Sequence, residues 1–226
     1  MDPAVLPSAV YSGKNRRSII YYLTKLLLNA VAIRRERIRD DYSLHRVVYS
    51  LFPRTDSEKH RILYADKGAV QSGRMVWVLS DREPELHPDI SSTSLILSES
   101  FFRFENYRFE VDLNPVRKDK ATGKRRAVTG QLDLLNWYVN HAARWGFEPD
   151  TRYLEVFSKP TRKFVKDEKN CIFNHAFFRG RLRVTDKVLF RQSVLAGLGH
   201  GKAFGFGLLC LAPFQTAPSE NQEQKN

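Results

Sequence analysis

Residues 186–213 read Asp186-Lys-Val-Leu-Phe-Arg-Gln-Ser-Val-Leu-Ala196, then Gly197-Leu-Gly-His-Gly-Lys-Ala-Phe-Gly-Phe-Gly-Leu-Leu209, then Cys210-Leu-Ala-Pro213. A helical pattern comes first, and an apolar strand pattern, Phe206 to Leu211, comes last. Residues 197–209 hold five of the chain's twelve glycines. Glycine is costly in ordered backbone unless a positive φ or a close approach requires it, so the loop is expected to meet a ligand. Bared backbone N–H groups beside Lys202 suit an anion such as phosphate. The order of elements excludes a nucleotide P-loop, which follows a strand, precedes a helix and ends in Gly-Lys-Ser/Thr. Ala203 stands where that hydroxyl belongs. Helix, loop and strand instead close a unit that can be traced backwards through the chain.

Working outward, Ile19–Asn29 reads as a strand and Arg34–Arg39 as a basic connection. Asp40 or Asp41 can cap a helix over Tyr42–Phe52, which Pro53 ends. A second short helix is expected around Ser57–Ala65, then strands at Arg74–Ser80 and Thr93–Leu97. The cycle repeats. Strands are expected in Phe101–Leu113, with a break near Glu105-Asn106. A basic loop carries Arg117, Lys118, Lys120, Lys124, Arg125 and Arg126. The helix Leu132–Trp145 follows, with Leu132, Leu135, Tyr138, Val139, Ala142 and Trp145 on one side. Tyr153–Phe157 is a strand, Lys159–Lys169 a basic hairpin, Phe177–Thr185 a strand and Lys187–Ala196 a helix. Two successive βαββαβ-like units give an α+β chain. The expected divisions are an extension at 1–18, units at 19–99 and 100–214, and a polar, disordered tail at 215–226.

Lysine and arginine outnumber the acids to give a net charge of +12, which points to a polyanionic partner such as nucleic acid. A basic solubilising surface is the plain alternative. Cys171 and Cys210 are the only cysteines, too few for a disulfide framework or a cysteine zinc site, and they fit a reducing cytoplasm. Lys14, Arg16 and Arg17 before an apolar run imitate a signal peptide, but Lys25 and Asn29 interrupt it. No stretch approaches the roughly 20 apolar residues that cross a bilayer.

Chemistry concentrates on the first helix. Leu44, Val47, Val48 and Leu51 share the face that must pack on a sheet. Tyr42, His45, Arg46 and Tyr49 take the other. An imidazole near neutral pKa can exchange protons, and a phenol one turn earlier can orient it. Arg46 could hold a phosphate. On the helix alone an ordinary surface histidine is the simpler reading; the phosphate-binding character of the chain singles His45 out. His60, His87, His141 and His175 look isolated, and His200 reads as loop filler. No histidines show metal-ligand spacing, and Asp40-Asp41 read as a helix cap rather than a magnesium site. Arg179, Arg181 and Arg183 share one strand face, suited to a nucleic-acid backbone or to water. Lys202–Leu209 departs from the aromatic RNA-binding strand motif of RRM sheets at Ala203, Gly207 and Leu209, so it is not read as a base-stacking strand.

The ordered set of motifs resembles the CasE family, the CRISPR repeat-processing endoribonucleases of type I-E systems. The matching pieces are Tyr21–Leu28, Asp41-Tyr42-Ser43-Leu44-His45 with Leu51-Phe52-Pro53, Phe109–Lys118, Gly180–Asp186 and Gly197–Pro213. The resemblance covers about residues 20–214. Residues 1–19 depart from it as an extension or a misplaced start, and His200 falls at a variable position, so nothing catalytic carries over to it. The resemblance implies two tandem ferredoxin-like (RRM-like) domains and metal-independent cleavage of precursor CRISPR RNA beneath the repeat hairpin. No cofactor is implied. The family's catalytic pair falls on Tyr42 and His45. A ribose 2′-OH would attack in line, leaving a 2′,3′-cyclic phosphate and a 5′-OH. RNA contacts are expected from Arg46, Arg117, Lys118, the hairpin residues Arg162, Lys163 and Lys166, and Gly199, Gly201 and Lys202 of the glycine loop. Product retention and assembly with other Cascade subunits are implied as well. A non-catalytic RNA-binding subunit of the same fold, or a basic DNA-binding or ribosome-associated protein, remain as rivals.

Overall fold

The computed structural model describes residues 20–52, 61–166 and 168–215. Strand β1 (Tyr22–Leu28) leads into α1 (Ala30–Arg35) and α2 (Asp41–Ser50), then β2 (Ile62–Val70), β3 (Gly73–Ser80) and β4 (Ile90–Ile96). A 3-10 turn at Glu99–Arg103 precedes β5 (Asn106–Leu113), the short strands β6 (Val116–Lys118) and β7 (Arg125–Ala127), and α3 (Gln131–Ala142). Strands β8 (Phe147–Pro149), β9 (Glu155–Lys166) and β10 (Lys169–Val184), α4 (Lys187–Ala196) and β11 (Cys210–Pro213) complete the chain.

The strands form two main antiparallel sheets, ordered β2-β3-β1-β4 and β11-β5-β10-β8, with β9 also paired to β10, and a third, two-stranded one of β6 and β7. In each main sheet, the unit's first and third strands lie in the centre and its second and fourth at the edges, the arrangement a βαββαβ chain adopts when its helices cover one face. The fold is therefore α+β, with two tandem ferredoxin-like units. The first unit departs from the pattern: residues 81–89, between β3 and β4, carry no helix. Pro84 and Pro88 deny that stretch helical hydrogen bonds. In the second unit the edge strand is divided into β8 and β9. β5 pairs with β10 only from Ala176 to Arg183, so the far part of the β9–β10 hairpin projects beyond the sheet.

Helix α2 follows the sequence pattern closely. Asp40 and Ser43 form a reciprocal capping box, with the Ser43 N–H donating to Asp40 Oδ1 at 2.7 Å. Leu44, Val47, Val48 and Leu51 are buried against the first sheet. At about 1.5–3 kcal/mol for each fully buried side chain, this face is what seats the helix.

The last strand, expected over 206–211, is β11 and begins only at Cys210, and three further expected elements come out differently. The basic connection begins as helix α1, because the Asn29 side chain accepts hydrogen bonds from the Val31 and Ala32 N–H groups and caps a turn. The helix expected at Ser57–Ala65 is strand β2 from Ile62 onward; residues 57–60 lie outside the described residues. Both faces of β2 are covered: Tyr64 faces the first core, whereas Leu63 and Ala65 join the second. A strand buried on both sides loses the alternation that marks strands in sequence. In α3 the buried residues are Leu134, Trp137, Tyr138 and Ala142, while Leu132 is 72% exposed. The Trp137 and Tyr138 rings turn that face inward, and the Trp137 indole N–H donates to the Val116 carbonyl at 3.1 Å.

Candidate active site

Three elements converge on the exposed face of α2: the helix itself, strand β9 of the projecting hairpin, and the glycine loop between α4 and β11. The loop turns through a short 3-10 segment, Lys202–Phe204, flanked by Gly201 and Gly205 in the left-handed region. A Cβ on Gly205 would lie 2.9 Å from the Tyr64 ring and 3.3 Å from Arg162 Nη1. A Cβ on Gly201 would lie 2.9 Å from the Phe206 ring. These two glycines thus let the second unit's loop close against β2 and the hairpin, beside α2.

His45 is half-buried where the three meet. Its Nδ1 lies 2.6 Å from the Ala203 carbonyl oxygen, 158 residues away in the chain. A carbonyl can only accept, so Nδ1 carries the proton and Nε2 is left with the lone pair. Burial pushes the His45 pKa down, the Ala203 contact resists, and the Lys166 charge adds to the lowering; the net direction is below the ordinary value. The imidazole is neutral at pH 7 as a result. Tyr49 and Phe204 pack on it with ring centroids at 4.3 and 5.0 Å. Tyr42 lies nearly parallel to it at 6.1 Å and stacks on Phe164 of β9.

Beneath this pair runs a network of polar and charged groups that nothing in the sequence connects. Arg162 donates from Nη1 to the Phe204 carbonyl at 3.0 Å and reaches Asp41 Oδ1 at 3.3 Å. Its Nε donates to His175 Nδ1 at 3.3 Å, and its guanidinium lies over the Phe206 ring. His175 Nδ1 must then be the acceptor, so its Nε2–H donates to Asp112 at 2.6 Å. Lys159 donates to the same carboxylate oxygen at 3.0 Å. Burial pushes Asp112 up, but His175 and Lys159 outweigh it and hold the carboxyl below its usual range. Burial raises Asp41, against the pull of Arg162. Asp41 is therefore not the helix cap, which is Asp40. His175 is not isolated but buried in β10.

The remaining expected contacts separate into two groups. Arg46 and Lys163 are exposed, and Lys166 stands 5.8 Å from the Phe204 ring. Gly199 lies earlier in the loop with its Cβ direction toward Leu113. Arg117 and Lys118 are exposed on the β6–β7 hairpin, packed against α3, and Arg117 reaches Asp133 at 3.6 Å. Two residues are occupied elsewhere. Arg162 is only 11% exposed, with its Nε and Nη1 engaged by internal partners. Lys202 turns back to donate to the Ala196 carbonyl at 2.9 Å, closing the end of α4. The arginine stripe is also partly neutralised: Arg179 pairs with Glu155 and Arg183 with Glu148, while Arg181 covers the Tyr153 ring. Among the described residues no group of three or more His, Cys, Asp or Glu side chains could hold a metal ion, and no helix is long and apolar enough to cross a membrane.

The fold and site together define a double ferredoxin-like protein that presents a neutral histidine and a stacked tyrosine beside a basic hairpin. The sequence pattern of the family described as CRISPR associated protein matches residues 21–213. The chain belongs to that family, within its CasE branch. It is 27% identical over 220 residues to the CRISPR-associated endoribonuclease Cse3 of Thermus thermophilus, covering 85% of this chain and all of the relative. It is 24% identical over 208 residues to the CRISPR system Cascade subunit CasE of Escherichia coli strain K12, covering 83% of this chain and all of that one. A solved structure of CRISPR endoribonuclease Cse3 bound to a 19-nucleotide RNA superposes with a TM-score of 0.75 at 25% identity, covering 86% of this chain and 100% of the other.

Proposed function

We propose that this chain is a metal-independent endoribonuclease that cuts precursor CRISPR RNA at the base of the repeat stem-loop. The observation that carries the reading is the His45–Ala203 bond, which holds the neutral imidazole in its Nδ1–H tautomer, with the Nε2 lone pair left over, at the foot of a basic hairpin. Membership of the family and the endoribonuclease relative support it. In the proposed reaction Nε2 takes the proton from the ribose 2′-OH, and O2′ bonds to phosphorus. The P–O5′ bond then breaks and the proton held on Nε2 passes to O5′, leaving a 2′,3′-cyclic phosphate and a 5′-OH and restoring the neutral imidazole. Tyr42 donates a hydrogen bond to the phosphorane.

Arg46, Lys163 and Lys166 hold the RNA backbone beside the cut, Gly199 and Gly201 line the approach, and Arg117 and Lys118 meet the RNA farther off. The residues act as two units, 19–99 and 100–214, with the site between them. The product is retained and the protein works in the cytoplasm with other Cascade subunits; the name of its CasE relative, a Cascade subunit, supports the partners. The test is cleavage of a repeat hairpin in EDTA, beside the same RNA with one 2′-deoxy nucleotide upstream of the cut. Cleavage of the first alone is expected; cutting of the 2′-deoxy RNA overturns the mechanism.

A further inference from the structure

Arg162 joins every element of the site and is itself largely buried. It belongs to β9, in the hairpin. Through Asp41 it grips the first turn of α2, one residue before Tyr42 and one turn before His45. Through the Phe204 carbonyl it grips the glycine turn at the residue after Ala203, whose own carbonyl holds His45 Nδ1. From behind it is held by His175, Asp112 and Lys159, and from one side by the Phe206 ring. A planar guanidinium with several donors can serve these directions at once, which an ammonium cannot.

We propose that Arg162 is a positioning residue for cleavage, locking hairpin, helix α2 and glycine turn together so that Ala203 keeps His45 in its Nδ1–H tautomer. The inference rests on the proposed catalytic use of His45. It also predicts that movement of the hairpin as RNA seats on it is felt at the histidine, because Arg162 ties the hairpin to the turn that holds the histidine.

Arg162→Gln and Asp41→Asn cut these ties from opposite sides. The second leaves the hairpin untouched and serves if the first folds poorly. Two readouts are needed: nitrogen NMR of the His45 ring in the free protein, and single-turnover cleavage with affinity for a repeat hairpin RNA. Either variant should turn the single Nδ1–H tautomer into a mixture. The rate at saturating RNA should fall on the order of 100-fold, as expected when a reacting group is displaced by about an ångström. Affinity should change by less than about threefold, since no RNA contact is removed. An unchanged tautomer and rate in both variants would overturn the proposal. So would a defect confined to affinity, which would make Arg162 an RNA contact. If His45→Ala cleaves normally, the catalytic reading fails by itself, and the ring spectra still decide whether Arg162 governs the tautomer.

Discussion

At His45 two influences oppose each other: burial disfavours the imidazolium, and the Ala203 carbonyl favours it. Burial, aided by the Lys166 charge, prevails, so the pKa lies below the ordinary 6.5. A base must be unprotonated. The pH dependence of kcat/KM, which reports the free enzyme, should therefore stay level from neutral pH downward and fall only below that ordinary value. Lys166→Ala removes a repelling positive charge, so the midpoint should move up. A wild-type midpoint above 6.5, or a downward move in the variant, contradicts the electrostatics described. That His45 and Tyr42 face away from the first core was legible in sequence, because a helix wheel shows which residues do so, whereas their roles came only from the resemblance. The places of Asp41, His175 and Asp112 were not legible. His175 and Asp112 are 63 residues apart and meet only when β5 and β10 pair. In β10 the run around His175 gives no sign that its polar members are buried.

Among elements, the sequence announced those whose ends carry capping groups and whose faces differ. Helix α4 spans Lys187–Ala196 as expected, capped by Asp186. Strand β2 was misread because both of its faces are buried. The β9–β10 hairpin was legible from its density of basic residues, but not the direction of each one. Among them Lys163 is exposed, whereas Arg162 points inward. The distinction has a measurable consequence in salt. Removing one phosphate contact should lower the slope of log affinity against log salt by about 1, so Lys163→Ala with Lys166→Ala should flatten it by about 2. Arg179→Ala and Arg183→Ala, already paired with glutamates, should change it little. The reverse ranking, measured by titrating hairpin RNA at several salt concentrations, would place the RNA on the outer face of the second sheet instead.

For the molecule as a whole, the site belongs to neither unit alone. The first unit supplies the helix with Tyr42 and His45; the second supplies the hairpin and the glycine loop that hold them. Leu63, Ala65 and Leu79 of the first unit are buried in the core of the second, so the units share packing as well as the site. The glycine loop, the most conspicuous feature of the sequence, is thus a clamp on the histidine. Its sequence suggested a phosphate cradle because glycine-rich backbone is the same whether it approaches a ligand or another strand. The most direct test is His45→Ala, assayed for cleavage and affinity on the same repeat hairpin RNA. Removal of the proton-transfer group should slow cleavage by about 100- to 10,000-fold, with affinity within about threefold of wild type. Cleavage close to the wild-type rate, or loss of binding in step with loss of cleavage, would show that His45 is not the base.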